Sequence, residues 1–174
     1  YEINPDVIRF ASSRYFSYLR DCPAHVEVIE GDARLSMEAE LRRNERQQFD
    51  ILVLDAFAGD AIPVHLLTRE AFEIYLQHVR KPDGLLAVHV SNAYVDLRPV
   101  LWKTAKEFGL HPAWIHAARD GRISGPSEWV VLAPNRALLD LPDIARGINP
   151  DQFFSPSSRL LTYDYSNLFQ ALKR

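Results

Sequence analysis

The stretch HPAWIHAARDGRISGPSEWVVLAP, residues 111–134, holds two apolar runs, HPAWIHAA and EWVVLAP, separated by a Gly-containing loop and no helix. Strands joined in this way can pair antiparallel, because a parallel pair needs a crossover of a dozen or more residues, usually a helix. Upstream of residue 111 the pattern differs: strand and helix signals alternate. That order argues for a parallel sheet covered on both faces. The expected fold is α/β, a mostly parallel sheet finished by an antiparallel strand pair at its edge.

Working back along the chain, LLAVHV (85–90) reads as a buried strand, followed by a helix with Leu97, Val100, Leu101, Ala105 and Phe108 inward. FDILVLDAF (49–57) is nearly continuously apolar from Ile51 to Leu54, the pattern of a central parallel strand. Thr68 is placed to cap a helix in which Phe72, Tyr75, Leu76 and Val79 share a face, and KPDG (81–84) reads as a turn. HVEVIEGD (25–32) alternates Val26 and Val28 with Glu27 and Glu30 and stops at Gly31, as a strand nearer a sheet edge does. ARLSMEAELRRN (33–44) reads as a short, polar, solvent-facing helix. YEINP looks like the tail of a strand entering a helix near Pro5, with Val7, Ile8, Ala11, Tyr15, Tyr18 and Leu19 as its apolar stripe. A parallel sheet closed by a hairpin is how the class I S-adenosylmethionine-binding fold ends, whereas the dinucleotide-binding fold has a parallel sixth strand. On this element order residues 1–174 form one domain, and its first strand and Gly-rich turn precede Tyr1.

The net charge of -3, with no run of Lys or Arg, provides no basic field for a phosphate backbone, so nucleic acid is not an expected partner. The longest apolar runs are far shorter than the roughly 20 residues that cross a bilayer, and the expected location is the cytoplasm. The single cysteine, Cys22, cannot form an internal disulfide and reads as a small hydrophobe near a helix end. The six histidines show no HxxxH, HxH or Cys/His pattern, so no metal is expected.

In open α/β sheets ligands bind outside the carboxyl ends of the strands, which directs attention to Glu2, Asp32 and Asp55. Glu2 is placed to accept hydrogen bonds from both hydroxyls of a ribose, with an exposed terminal Glu as the plainer reading. Asp32 suits an adenine amine and equally suits the N-cap of the helix beginning at Ala33, and the two readings are compatible. Asp55 follows four apolar residues, so desolvation should raise its pKa unless a cation sits nearby, which suits a base; a cap at a strand end is the alternative. Asp60 is a turn residue or a substrate contact. His89 and His116 fall within strand patterns and read as sheet residues, while His65 lies in the loop after Asp55. Ser12, Ser13 and Ser91 have no GxSxG context, so nothing specific favours a Ser/His/Asp hydrolase. Near the C-terminus Tyr163, Asp164 and Tyr165 precede a short amphipathic helix with Leu168, Phe169 and Leu172. Asp164 would cap that helix or, with Tyr165, contact substrate.

The ordered blocks YEINPDVIRFA, VEVIEGDARLSM, FDILVLDAFAGDAIPVHLLTREAF, GLLAVHVSN and LLTYDYSNL resemble the spermidine synthase (polyamine aminopropyltransferase) family. The resemblance is specifically to its bacterial spermidine-synthase-like domains, often attached to membrane-transporter-like segments, and DAFAGDAIPVHLLT is its most specific part. It implies a class I methyltransferase-like (Rossmann-like) sheet with helices on both faces and the first strand missing. It implies decarboxylated S-adenosylmethionine as co-substrate, methylthioadenosine as product and no metal. Glu2 would bind the ribose, Asp32 with Ala33 the adenine, and Asp55 would be the catalytic base acting on a polyamine such as putrescine. A homo-oligomer and further N-terminal or membrane segments in the full-length protein are consistent with it. The chain departs from the family at Ala58, where members that make spermidine carry a second acidic residue, and it lacks the family's small N-terminal β domain. An S-adenosylmethionine-dependent methyltransferase, or a non-catalytic nucleoside-binding or interaction domain, is the alternative on the same fold.

Overall fold

A computed structural model describes residues 1–56, 62–117, 125–152 and 159–172. Among them four strands, β1 (Ile51–Leu54), β2 (Leu85–His89), β3 (His111–Ala117) and β4 (Ser127–Ala133), form one sheet in the order β1-β2-β4-β3. β1 and β2 are parallel, with Leu54 opposite Val88. β4 is antiparallel to both β2 and β3, so the last strand in sequence inserts between them. This is the reversal expected from residues 111–134.

Strand alternation divides the sheet into two apolar faces. Leu52, Leu54, Leu86, Val88, Val130 and Leu132 share the first and are buried. Helices α3 (Arg69–His78) and α4 (Arg98–Phe108) lie on this side, where Leu76, Val79 and Phe108 line a cavity with Leu86 and Leu132. On the second face Leu85, Ala113, Val131 and Ala133 pack against Leu139, with Leu138, Ile144 and Ile148 behind. The helical turn α5 (Pro142–Ala145) belongs to that cover. Helix α3 starts where Thr68 Oγ1 accepts the Ala71 N–H at 3.3 Å, and it buries Ala71, Phe72, Tyr75 and His78. Helix α4 ends at Gly109, whose φ of 65° is the left-handed conformation glycine adopts without cost at a helix end.

Gly84, just before β2, sits where no side chain fits. A Cβ there would lie 2.5 Å from Val79 Cγ1, 2.6 Å from the Arg80 carbonyl oxygen and 2.8 Å from that of Phe49. Two of those atoms are backbone and cannot swing aside. Gly84→Ala is expected to cost about 1–3 kcal/mol, as overpacking does. Urea unfolding should show a lowered midpoint with an unchanged slope.

The chain divides into two compact units, Tyr1–Arg46 and Gln47–Arg174, and the sheet belongs to the second. The first unit corrects several expectations. Helix α1 (Pro5–Ala11) begins at Pro5 but stops well short of Leu19. Ser13 Oγ accepts the Tyr15 N–H at 3.3 Å, the local side-chain bond by which serine competes with helix. Phe10, Phe16 and Tyr18 then stack edge to face along the surface and remain exposed. Residues 25–29 form no strand. One parallel bridge, Glu2 with Glu30, is all that pairs there, through Glu2 N–Ile29 O (3.0 Å) and Gly31 N–Glu2 O (2.9 Å). A strand persists only through a run of such bonds, and Val26 and Val28 stay exposed. Helix α2 (Ala33–Arg42) forms as expected but buries Met37 and Glu40, the latter accepting the Tyr1 hydroxyl at 2.9 Å. Cys22 is exposed rather than tucked against a helix end.

In the second unit β1 is an edge strand, not a central one, and Ile51 and Val53 are 59% and 51% exposed. Its continuous apolar run signals burial on both faces, and within this unit only the Leu52 and Leu54 face is covered. The amphipathic helix expected near the C-terminus is reduced to a 3-10 turn, Leu168–Ala171.

Candidate active site

Leu54 and Val88 are the last paired residues of β1 and β2, so the next position outward on each parallel strand holds Asp55 and His89. Their side chains meet: His89 Nδ1 lies 2.7 Å from Asp55 Oδ1. His89 Nε2 lies 2.8 Å from Ser91 Oγ, which also accepts the backbone N–H of Glu128 at 2.8 Å. The imidazole stacks on the indole of Trp129, its cross-strand partner, with ring centres 4.6 Å apart and planes at 21°. A carboxylate can only accept, so Nδ1 carries the proton of the Asp55–His89 hydrogen bond. In a neutral ring Nε2 then accepts the Ser91 hydroxyl proton, and all four groups are satisfied at once.

The pair is open at one end. The Asp55 side chain is 53% exposed against 20% for His89, so the carboxylate is half open to solvent rather than buried. Four apolar residues along the strand do not cover a carboxylate that projects past its end. Among the described residues Asp55 makes its hydrogen bond through Oδ1, leaving Oδ2 outside that bond. A carboxylate held by one oxygen can present the other to an N–H donor.

The sequence alone marks His89 as a sheet residue and Ser91 as a serine without GxSxG context. A signal was present in ILVLD and LLAVH, each four apolar residues closed by one polar residue. When such strands lie parallel and in register their polar ends coincide, here across a separation of 34 residues.

The nucleoside candidates lie in the first unit. The Glu2–Glu30 bridge brings Glu2, Gly31 and Asp32 to one place. Gly31 has a φ of 148°, and a Cβ there would meet Ser36 Oγ at 2.9 Å. Asp32 caps α2, Oδ1 accepting the Leu35 N–H at 2.9 Å, and Ala33 is the first residue of that helix. Glu2 Oε1 accepts the Asn4 N–H at 2.8 Å. Asp164 and Tyr165 belong to a turn closed by Thr162 N–Tyr165 O (2.9 Å), with the Arg159 guanidinium 5.5 Å above the Tyr165 ring. Hydrogen bonds tie this segment to the start of α3, Arg69 N–Leu161 O at 2.8 Å and Tyr163 N–Glu70 Oε2 at 3.2 Å. Asp164 sits in that turn rather than at the start of the 3-10 turn Leu168–Ala171. Asp60 lies outside the described residues, as does Ala58. His65 is exposed in a 3-10 turn, Val64–Leu66, and His116 Nδ1 lies 3.6 Å from Glu128 Oε1.

No family model matches the chain. Over 89 residues it is 41% identical to a polyamine aminopropyltransferase of Vibrio vulnificus, a match covering 51% of this chain and 27% of that protein. A probable spermidine synthase from Corynebacterium glutamicum superposes with a TM-score of 0.56 at 23% identity, over 77% of this chain and 46% of that one. The chain has the fold of the spermidine synthases. The spermidine synthase of Thermotoga maritima has the same fold at a TM-score of 0.51 and 15% identity, over 93% of this chain and 52% of its own. A spermidine synthase in complex with the transition state analogue AdoDATO gives 0.52 at 18% identity, over 93% and 53%. An N-terminal histidine N-methyltransferase of Emericella nidulans is 37% identical over 89 residues, which is 51% of this chain and 15% of that protein. The chain thus spans about a quarter of its curated aminopropyltransferase relative and about half of each solved structure. Among its described residues no helix is long and apolar enough to cross a membrane.

Proposed function

We propose that the chain transfers an aminopropyl group from decarboxylated S-adenosylmethionine to an amine such as putrescine, with Asp55 as base and its two units serving one catalytic domain. The observation that carries this reading is Asp55 itself, delivered to the carboxyl end of β1, half exposed, with Oδ1 held by His89. The similarity to a polyamine aminopropyltransferase supports it. In the reaction an amine nitrogen attacks the carbon beside a positively charged sulfur. The N–C bond forms, the C–S bond breaks, its electron pair stays on sulfur, and methylthioadenosine leaves. An alkylamine has a pKa of about 10, like lysine, so a proton must be removed before the nitrogen can attack. A carboxylate that holds the ammonium group, orients it and takes that proton meets both needs. Glu2 is assigned to the ribose, Asp32 and Ala33 to the adenine, and Asp60, Asp164 and Tyr165 to the amine substrate.

The test is incubation of the natural protein containing this chain with each labelled sulfonium donor and a panel of monoamines and diamines. Methylthioadenosine from the decarboxylated donor is the expected product. S-adenosylhomocysteine from S-adenosylmethionine would establish methyl transfer instead, and no product from either donor would leave a binding role. For the nucleoside assignment, Glu2→Gln is expected to weaken methylthioadenosine binding by calorimetry about tenfold or more, the worth of a hydrogen bond to a charged group. An unchanged affinity would remove Glu2 from the site.

A further inference from the structure

We propose that His89 is a positioning residue for Asp55, itself held by Ser91 and Trp129; the proposal rests on the reading of Asp55 as the base. Asp55 ends an edge strand and is half exposed, so without a partner its carboxylate would rotate freely about its side-chain torsions. His89 removes that freedom at Oδ1 and leaves Oδ2 to meet the amine. The ring can do so because it is restrained on three sides, by Asp55 at Nδ1, by Ser91 at Nε2 and by the Trp129 face. The donors run in one direction, from the Glu128 N–H to Ser91 Oγ, from the Ser91 hydroxyl to His89 Nε2, and from His89 Nδ1 to Asp55. Hydrogen bonds ending on a charge are the stronger kind, and such chains polarise one another. The reaction moves one proton from the ammonium nitrogen to Asp55 Oδ2, and His89 keeps its Nδ1 proton throughout.

Asp55, His89 and Ser91 also stand in the order and spacing of a nucleophile-activating triad. The tie from Ser91 Oγ to the Glu128 N–H anchors that hydroxyl to β4, so here it supports the ring instead of attacking a substrate.

The experiment compares His89→Leu, His89→Asn and Ser91→Ala in the natural protein by steady-state kinetics and by methylthioadenosine calorimetry. His89→Leu is expected to lower kcat about 100-fold, the effect of misplacing a reacting group by about an ångström, with nucleoside affinity unchanged. His89→Asn, whose amide N–H can replace the Nδ1 donor, is expected to recover most of that loss. Ser91→Ala, which keeps the His–Asp bond but loosens the ring, is expected to lower kcat by about three- to tenfold and serves if the His89 variants do not fold. Wild-type turnover in His89→Leu, equal loss in His89→Asn and His89→Leu, or an unchanged kcat in Ser91→Ala would overturn the positioning role and leave the transferase reading standing. Labelling of Ser91 by a fluorophosphonate would also overturn it, in favour of a nucleophilic serine. Absence of methylthioadenosine from the wild-type protein would overturn the transferase reading itself, and the role of His89 with it.

Discussion

Asp55→Asn is expected to lower kcat by about 10²–10⁴-fold, the contribution of a positioned general base, while methylthioadenosine binds with unchanged affinity. Asparagine has the same shape, and its carbonyl oxygen can still accept the His89 Nδ1–H, so the network behind the residue survives. What disappears is the negative charge and the proton-accepting oxygen that the proposed reaction assigns to this residue. Single-turnover chemistry should therefore slow while nucleoside calorimetry does not change. Equal loss of binding and turnover would make Asp55 a structural residue at the end of β1. The contrast with His89→Leu is informative, because that variant keeps the Asp55 carboxylate and loses only its orientation, so its kcat should fall no further than that of Asp55→Asn.

Phe72→Ala should cost about 3–5 kcal/mol of stability, a large share of the total of about 5–15 kcal/mol typical of a domain. Phe72 is fully buried in α3, edge-on to Tyr75 at 5.7 Å and tilted against Phe108 of α4 at 6.4 Å. Removing the ring leaves a cavity where α3 meets α4. Helix α3 has ten residues, too short to persist without its packed face. Urea denaturation followed by circular dichroism measures the loss. A change below about 1 kcal/mol would mean that the surrounding helices close over the gap.

Much of the fold was legible because it rests on local pattern. The apolar run of 51–54, the Thr68 cap, the stripe of Phe72 and Tyr75, and the paired apolar runs HPAWIHAA and EWVVLAP each predicted an element that forms. The failures arise where an element depends on a distant partner. Val26 and Val28 alternate as a strand should, but pairing there extends to a single bridge. The aromatic residues 15–18 continue a helical stripe, yet Ser13 ends the helix and the rings pack on one another.

For the candidate site the division has the same physical cause. Sequence by itself determined that Asp55 closes a strand at its carboxyl end in an α/β sheet, because strand ends and turns are written in neighbouring residues. It also determined that Asp32 begins a helix, and the structure shows that cap made with the Leu35 N–H. Only the tertiary structure decided that His89, 34 residues away, is the partner of Asp55, and that Ser91 and Trp129 hold its ring. Those contacts follow from the register of β1 on β2 and of β2 on β4, and register is set by how apolar faces bury against one another across the whole sheet, which no short stretch of sequence records.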